Sequence, residues 1–387
     1  MIYIKRKILY ALSLNKLLSA LGNNTDLRFL TFFAKSLGAD EFQIGIISAV
    51  RELSLFTQLP WGRLSDYFMK RKIFVVVGGI VFSIYLLSLS MVPGVNYLIF
   101  LVLILSLFFS MEMPSMQALL ADLTHGGERG KIFGVIGTLE SVGSIISFVV
   151  IGLLLDLYSF HILFLLCSAQ GLLGVFIFAL GVEEPKVSTD DKSQLITLRS
   201  ILYDKRFIII TLSRSLQGIA ISLAQVVLPK FVMEILKISM IEYSITLIPM
   251  YTIMMISALP CGVLMDRIGR KPILIVGFLL DALCHFLFPF SRGFFDLLLI
   301  RALLGVMATT VLNGVAIVLS DISSRRERGQ YISLSSTLQG AARMIGLIVG
   351  GALANYVGFL NIFFIAAVID LIATLSLLFL KETLKKD

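Results

Sequence analysis

The chain is poor in the residues that soluble enzymes use for chemistry. It has three histidines, three cysteines and one tryptophan among 387 residues. His125, His161 and His285 fall in separate segments, so neither a metal-ligand set nor a nucleophile with its base forms at motif spacing. No glycine loop carries the lysine that holds a nucleotide phosphate, which leaves ATP-driven pumping unsupported. Cys167, Cys261 and Cys284 sit inside apolar runs without a C-x-x-C pair and read as packing residues. Charge is scarce too. Charged residues make up 15% of the chain, against about a quarter in ordinary soluble domains. With no metal, no cofactor and no catalytic cluster expected, an enzyme is not expected either.

Apolar residues are what the chain has in excess, at 57%, and the mean hydropathy is +0.94. Such a composition cannot hide its apolar surface in water, so lipid must be the solvent. Runs of about 20 apolar residues cross a hydrocarbon core. They occur at 8–36, 42–66, 73–92, 96–122, 130–157 and 160–182, and again at 206–235, 240–265, 272–291, 295–321, 329–357 and 359–380. This predicts an all-α integral membrane protein of twelve transmembrane helices in two sets of six. The domains are then 1–182 and 206–387, with 183–205 as a solvated linker that carries a short amphipathic piece near Leu195 to Leu202. Lys5-Arg6-Lys7 before an apolar run resembles a signal peptide, but the run is too long and carries Lys16, so it reads as the first helix. Gly78-Gly79 and Gly350-Gly351 suit close helix packing in lipid.

The net charge of +8 reports orientation rather than a nucleic-acid partner. With both termini in the cytoplasm, 23 bases fall in inner segments and 4 in outer ones. The positive-inside rule therefore places both ends in the cytoplasm of a multi-pass cell-membrane protein.

Two duplications cross the middle of the chain. P-W-G-R-L-S-D-Y-F-M-K-R-K from Pro60 and P-C-G-V-L-M-D-R-I-G-R-K from Pro260 share Pro, Gly, Leu and Asp. Asp122 and Glu128-Arg129-Gly130 likewise match Asp321 and Glu327-Arg328-Gly329, and Glu140 matches Gln339, 199 positions on. Agreement at two loops indicates parallel repeats of six helices.

Residues 262–271, G-V-L-M-D-R-I-G-R-K, resemble the loop signature of the major facilitator superfamily, G-x-L-x-D-R-x-G-R-K. The signature belongs between helices two and three and recurs between eight and nine, where both copies fall. The first copy keeps Gly62, Leu64, Asp66, Lys70 and Arg71 but departs at Tyr67 and Met69. With the twelve-helix layout, the resemblance covers the whole chain. It implies two pseudo-symmetric bundles and a cytoplasmic gate built from Gly62, Asp66, Arg71, Gly262, Asp266, Arg267, Gly269, Arg270 and Lys271. Gly62 and Gly262 are expected to end helices where a neighbour comes close. Each aspartate is expected to face a helix N-terminus and to pair with a base of its own loop.

Charged groups inside helices cost about 2.5–3.5 kcal/mol each at the bilayer centre on insertion scales, so each is a functional candidate. Ser19, Asn23 and Asp26 share a face of the first helix at straight α-helical spacing. Arg51 and Glu52 lie on the second, Glu112 on the fourth and Glu140 on the fifth. Arg214 and Gln217 lie on the seventh, and Gln339 and Arg343 on the eleventh. The resemblance puts helices one, four, seven and ten around a central cavity and two, five, eight and eleven along its seams. Asp281, His285 and Asp370 fall on supporting helices nine and twelve, where a local hydrogen bond or ion pair is expected. Arg28 and Arg301 lie nearer the outer surface, from which they can snorkel.

Two roles stay open for Asp26, Glu112 and Glu140: a permanent salt bridge with Arg51, Arg214 or Arg343, or exchange of a proton during transport. Asp26 resembles the first-helix acid of proton-coupled multidrug exporters. Glu112 departs from their helix-four arginine, and Gly137 to Leu155 lacks their helix-five proline. The expected function is alternating-access secondary transport by a monomer, driven by the proton gradient and exporting a small organic molecule. Uptake of a metabolite such as a sugar or organic acid is the alternative. A transporter-derived receptor would share every one of these features.

Overall fold

The computed structural model describes residues 6–68, 70–123, 129–184, 198–324 and 328–383. Most of the expected linker (185–197) lies outside the described residues. So do Lys5, Glu128, Glu327, Lys385, Lys386 and the side chains of Asp66, Asp122 and Arg129.

Among the described residues, regular structure is helical throughout. The first six expected spans become α1 (Arg6–Asn24) with α2 (Leu30–Ser36), α3 (Glu41–Glu52) with α4 (Ser54–Phe68), α5 (Arg71–Leu89), α6 (Val95–Phe109) with α7 (Glu112–Leu123), α8 (Arg129–Leu157) and α9 (Phe160–Gly181). After a short α10 (Leu198–Tyr203) come α11 (Lys205–Lys230), α12 (Met240–Ile268), α13 (Arg270–Leu287), α14 (Phe294–Ile322), α15 (Arg328–Val357) and α16 (Phe359–Leu377). Among the described residues, ten helical stretches are long and apolar enough to cross a membrane. The other two expected spans are helix in two pieces. A π-helical turn, Thr25–Phe29, separates α1 from α2, and the chain tightens at Leu53 between α3 and α4, where the Leu53 amide donates to Val50. Inserted π turns change the direction of the side chains that follow and occur often at functional sites.

The chain forms two compact units. The first comprises Met1–Ala39, Val50–Asp190 and Ser239–Ile245; the second comprises Asp40–Ala49, Asp191–Ile238 and Thr246–Asp387. Each therefore includes one short piece drawn from the other half of the sequence.

In the first unit α1 packs on α8 and α9, and α5 packs on α6, α7 and α9. Lipid tails are as apolar as leucine, so helices associate here through close van der Waals contact. Glycine makes that contact possible. A Cβ at Gly78 would lie 2.9 Å from the Glu112 amide nitrogen, and one at Gly79 would lie 2.5 Å from Val175 Cγ2. Phe178, Leu12, Leu119 and Met116 fill a buried cluster between α9, α1 and α7. The Trp61 indole N–H donates to the Leu107 carbonyl at 2.7 Å and so ties α4 to α6. Within this unit Tyr243 stacks edge-on against Phe29 at 5.7 Å, and Asp156 accepts from the Ile241 amide at 3.4 Å.

The second unit repeats the scheme about 199 positions later. Its α11 packs on α15 and α16, and α13 packs on α14 and α16. Gly346 and Gly350 let α15 approach Ile219 and Leu223 of α11, and Gly351 lies against the backbone of Glu41 and Phe42. Glu41 accepts an ion pair from Lys230 at 3.1 Å. The duplication legible in the sequence is thus a duplication of helix pairing.

Candidate functional site

Three constellations hold the candidate residues. The first is the pair of base-rich loops. In the second unit the chain turns at Gly269, whose φ of +117° is costly for any residue with a Cβ. Arg270 is the hub that follows. Its guanidinium lies 3.1 Å from Asp266 Oδ1 and 3.1 Å from Asp321 Oδ2, and it donates to the Met265 carbonyl at 2.8 Å. Thr383 Oγ1 donates to the same Asp321 oxygen at 3.1 Å. Asp266 therefore pairs with a base of its own loop, as expected, while Arg267 is exposed.

The N-terminus of α13 is satisfied differently from expectation. The amides of Arg270 and Lys271 donate to the two carboxylate oxygens of Glu382, at 2.9 and 3.1 Å, and Lys271 Nζ donates to the Leu378 carbonyl at 2.6 Å. The first unit has the same device: the Lys72 amide donates to both oxygens of Glu184 at 3.1 Å, and Arg71 donates to Ser65 Oγ at 3.3 Å. An acid just past the sixth or twelfth span thus caps the third or ninth helix and meets its dipole. Sequence reasoning passed over Glu184 and Glu382. The signal was there, since the two stand 198 positions apart, each just after an apolar run.

Gly62 and Gly262 are a second correction. Neither ends a helix, because α4 runs on to Phe68 and α12 to Ile268. A Cβ at Gly62 would make ordinary contact with Pro114 at 3.5 Å. Among the described residues, one at Gly262 would meet nothing within 4 Å. The turn at Gly269 is where glycine is needed.

The second constellation is the polar core of the first unit. Asp26 sits in the π turn and is 2% exposed. Arg51 Nε donates to its Oδ2 and the Tyr85 hydroxyl to its Oδ1, both at 2.7 Å. The geometry gives a buried carboxylate with a guanidinium and a phenol on opposite oxygens. Glu52 is buried beside Arg51 and within its electrostatic reach. Asn23 is exposed, so it does not share the environment of Asp26, and its neighbour Asn24 is buried in its place. Glu112 is half-buried, within electrostatic reach of Lys16 and of the exposed Glu140. It borders a cavity of about 20 Å³, room for one water, with Asn15, Ser19, Ser83 and Cys167. Tyr85 was missed because a tyrosine in an apolar run carries no charge to mark it.

The third constellation lies in the second unit. Arg214 on α11 contacts Ser335 and Ser336 of α15 at 3.5 and 3.4 Å, and faces the like charge of Arg343. Arg343 Nη2 reaches Gln225 Oε1 at 3.5 Å, and its stem lies with Gln339 over Gly218. Gln217 turns away from this group. It is 2% exposed, and its Nε2 donates to Asp281 Oδ2 at 2.7 Å. His285 Nδ1 lies 2.6 Å from Asp370 Oδ2, which gives the local bond expected between helices nine and twelve. Arg301 is buried at 6% exposure, with its guanidinium 6.0 Å from the Phe288 ring centroid, and so does not snorkel.

The Major Facilitator Superfamily profile matches residues 12–215 and 210–387. A tetracycline resistance protein, class H, of Pasteurella multocida is 32% identical over 187 residues, 48% of this chain and 46% of that protein. The multidrug resistance protein MdtG of Escherichia fergusonii is 24% identical over 357 residues, 89% of this chain and 86% of its own length. Among solved structures, a mutant form of the nucleoside transporter NupG superposes with a TM-score of 0.80 at 15% identity, over 96% of this chain and 99% of that one. This chain, with its ten described membrane-length helices, its paired bundles and its duplicated loop motif, belongs to the Major Facilitator Superfamily, a family of multi-pass transporters rather than enzymes.

Proposed function

We propose that the protein is a proton-coupled exporter of small organic molecules. It works as a monomer by alternating access in the cell membrane, with both termini in the cytoplasm. The observation that carries this reading is Asp26 in its π turn, held between Arg51 and Tyr85. As a carboxylate, Asp26 balances the Arg51 charge. Once protonated it no longer does, and the guanidinium is free to seek another partner. Proton binding is thereby converted into rearrangement between the π turn that follows α1 and the break at Leu53 that follows Arg51. Glu112 and Lys16 supply a second acid–base pair beside the small cavity. The loop networks around Arg270 and Glu382 act as braces of the base-rich side, made in one state and broken in the other. Export is favoured over uptake by the names of the sequence relatives, tetracycline resistance and multidrug resistance proteins.

The test is flux in proteoliposomes with ethidium and tetracycline as probes. An imposed pH gradient is expected to drive accumulation against the probe gradient, and Asp26→Asn to abolish the driven part while the purified protein keeps its elution profile. Driven accumulation at the wild-type rate in Asp26→Asn would remove Asp26 from the coupling. Dye flux indifferent to the pH gradient in the wild-type protein would overturn proton coupling altogether.

A further inference from the structure

The second unit holds a charge cluster for which the reading above has no use. Asp281 and His285 stand one turn apart on α13, Asp370 faces them from α16, and Gln217 reaches in from α11. Asp281 and Asp370 are fully buried and His285 is 4% exposed. Ligand-type atoms of the three lie within 4.8 Å of one another. One oxygen of each acid, Asp281 Oδ1 and Asp370 Oδ1, is buried without a hydrogen-bond partner among the described residues.

The repeat shows that the scaffold does not require this cluster. At the displacement of 199 that aligns Arg71 with Arg270, the counterparts of Gln217, Asp281, His285 and Asp370 are Leu18, Phe82, Leu86 and Gly171. All four are apolar, and the same helix pairs form around them in the first unit. Phe82, Leu86 and Gly171 there border the small cavity beside Glu112. The second unit therefore carries two acids and an imidazole where its twin does without.

Two buried carboxylates so close repel each other, and a single imidazolium can neutralise only one of them. Something positive must join the cluster. A metal ion bound at roughly 2.0–2.2 Å holds its ligand atoms about 3 Å or more apart. The 2.6 Å between His285 Nδ1 and Asp370 Oδ2 is instead a hydrogen-bond length, with a proton between the two atoms. Cys284 on α13 lies within electrostatic reach of Asp281 and Asp370 and also of Arg301 on α14, while α11 presents the neutral Gln217.

We propose that Asp281, His285 and Asp370 form a proton-exchange site in the second bundle, connected to α11 through Gln217. In the loaded state one proton lies between His285 Nδ1 and Asp370 Oδ2 and a second is on Asp281 Oδ1, which makes the cluster neutral. Release of the Asp281 proton leaves one negative charge, held by the Gln217 amide. The change alters the bond that ties α13 to α11. Its part in transport rests on the proton-coupled reading above; its protonation does not.

The test has two arms on the full-length protein in lipid. Infrared difference spectra of aspartate-labelled protein, stepped from acid to alkaline buffer, are expected to lose a buried carboxylic-acid carbonyl band while an imidazole band shifts. Asp281→Asn should remove the first change and His285→Gln the second, and the near-isosteric Asp370→Asn repeats the test should His285→Gln fail to fold. A carbonyl band that never titrates, a carbonyl change that survives Asp281→Asn, or a stoichiometric transition metal in the purified protein would each overturn the proton site. In the second arm, ethidium flux under a pH gradient is expected to lose at least tenfold of its acceleration in His285→Gln. Wild-type acceleration in that variant would exclude the cluster from coupling. A wild-type protein without any acceleration would instead sink the exporter reading and leave the spectroscopic site standing.

Discussion

The two bundles share their helix pairing but hold their buried charge in different ways. In the first unit Asp26 is bonded directly to its base, Arg51, with Tyr85 on its remaining oxygen and Glu52 within reach of the same guanidinium. In the second, two acids share one imidazole and one amide, and Arg214 and Arg343 face serines and a glutamine across α11 and α15. A common scaffold thus supports one balanced centre and one centre that needs added protons. Duplication fixed the packing, and the polar cores diverged within it.

The balanced centre is the easier one to break. Arg51→Leu strands Asp26 without its cation, and removal of one partner of a buried pair costs about 3–5 kcal/mol. We expect a large drop in thermal midpoint in detergent, and substantial recovery when Asp26→Leu is added. If the double variant is no more stable than Arg51→Leu, the pairing energy has been misassigned. Gln217→Leu installs the first-bundle residue in the second and leaves Asp281 Oδ2 without its donor. The loss should be about 1–3 kcal/mol, larger at alkaline pH, where Asp281 is ionised. Equal loss at both ends of the pH range would show that the site does not change charge. Tyr85→Phe removes one of two donors to Asp26 and should cost about 1–2 kcal/mol by the same melt, since Arg51 remains. The smallest effect is expected at the matched helix caps. Glu184→Gln and Glu382→Gln should each cost a few tenths to about 1 kcal/mol, screened by salt. Glu382→Gln should lower flux more, because its helix end is shared with the Arg270–Asp321 network. Equal flux losses would mean that the two loops work alike despite Tyr67 and Met69.

Much of the architecture was legible in the sequence because it rests on length and repetition. Twelve apolar runs and a 199-residue displacement specify which helices exist and which positions correspond. Pairing at Asp266 was legible as well, since an acid among bases has few other roles. The π turn was not, because nothing in T-D-L-R-F distinguishes it from straight helix, and neither was the exposure of Asn23 so near the buried Asp26. Gln217 was legible as polar, but its bond to Asp281 depends on the rotation of α11 against α13, which no local pattern encodes. The Glu184 and Glu382 caps bring together residues 112 and 111 positions apart from their amides, and only the half-to-half comparison points to them.

The single tryptophan has a practical consequence. Trp61 stands on α4, bonded to the α6 backbone beside Phe108, and the protein has no other indole. Its indole emission, excited at wavelengths that tyrosine does not absorb, is therefore a reporter of the first bundle alone, with no labelling. A shift in emission on adding a dye or a proton would follow the α4–α6 joint in real time in the unmodified protein, and stopped-flow records would give the rate of its movement.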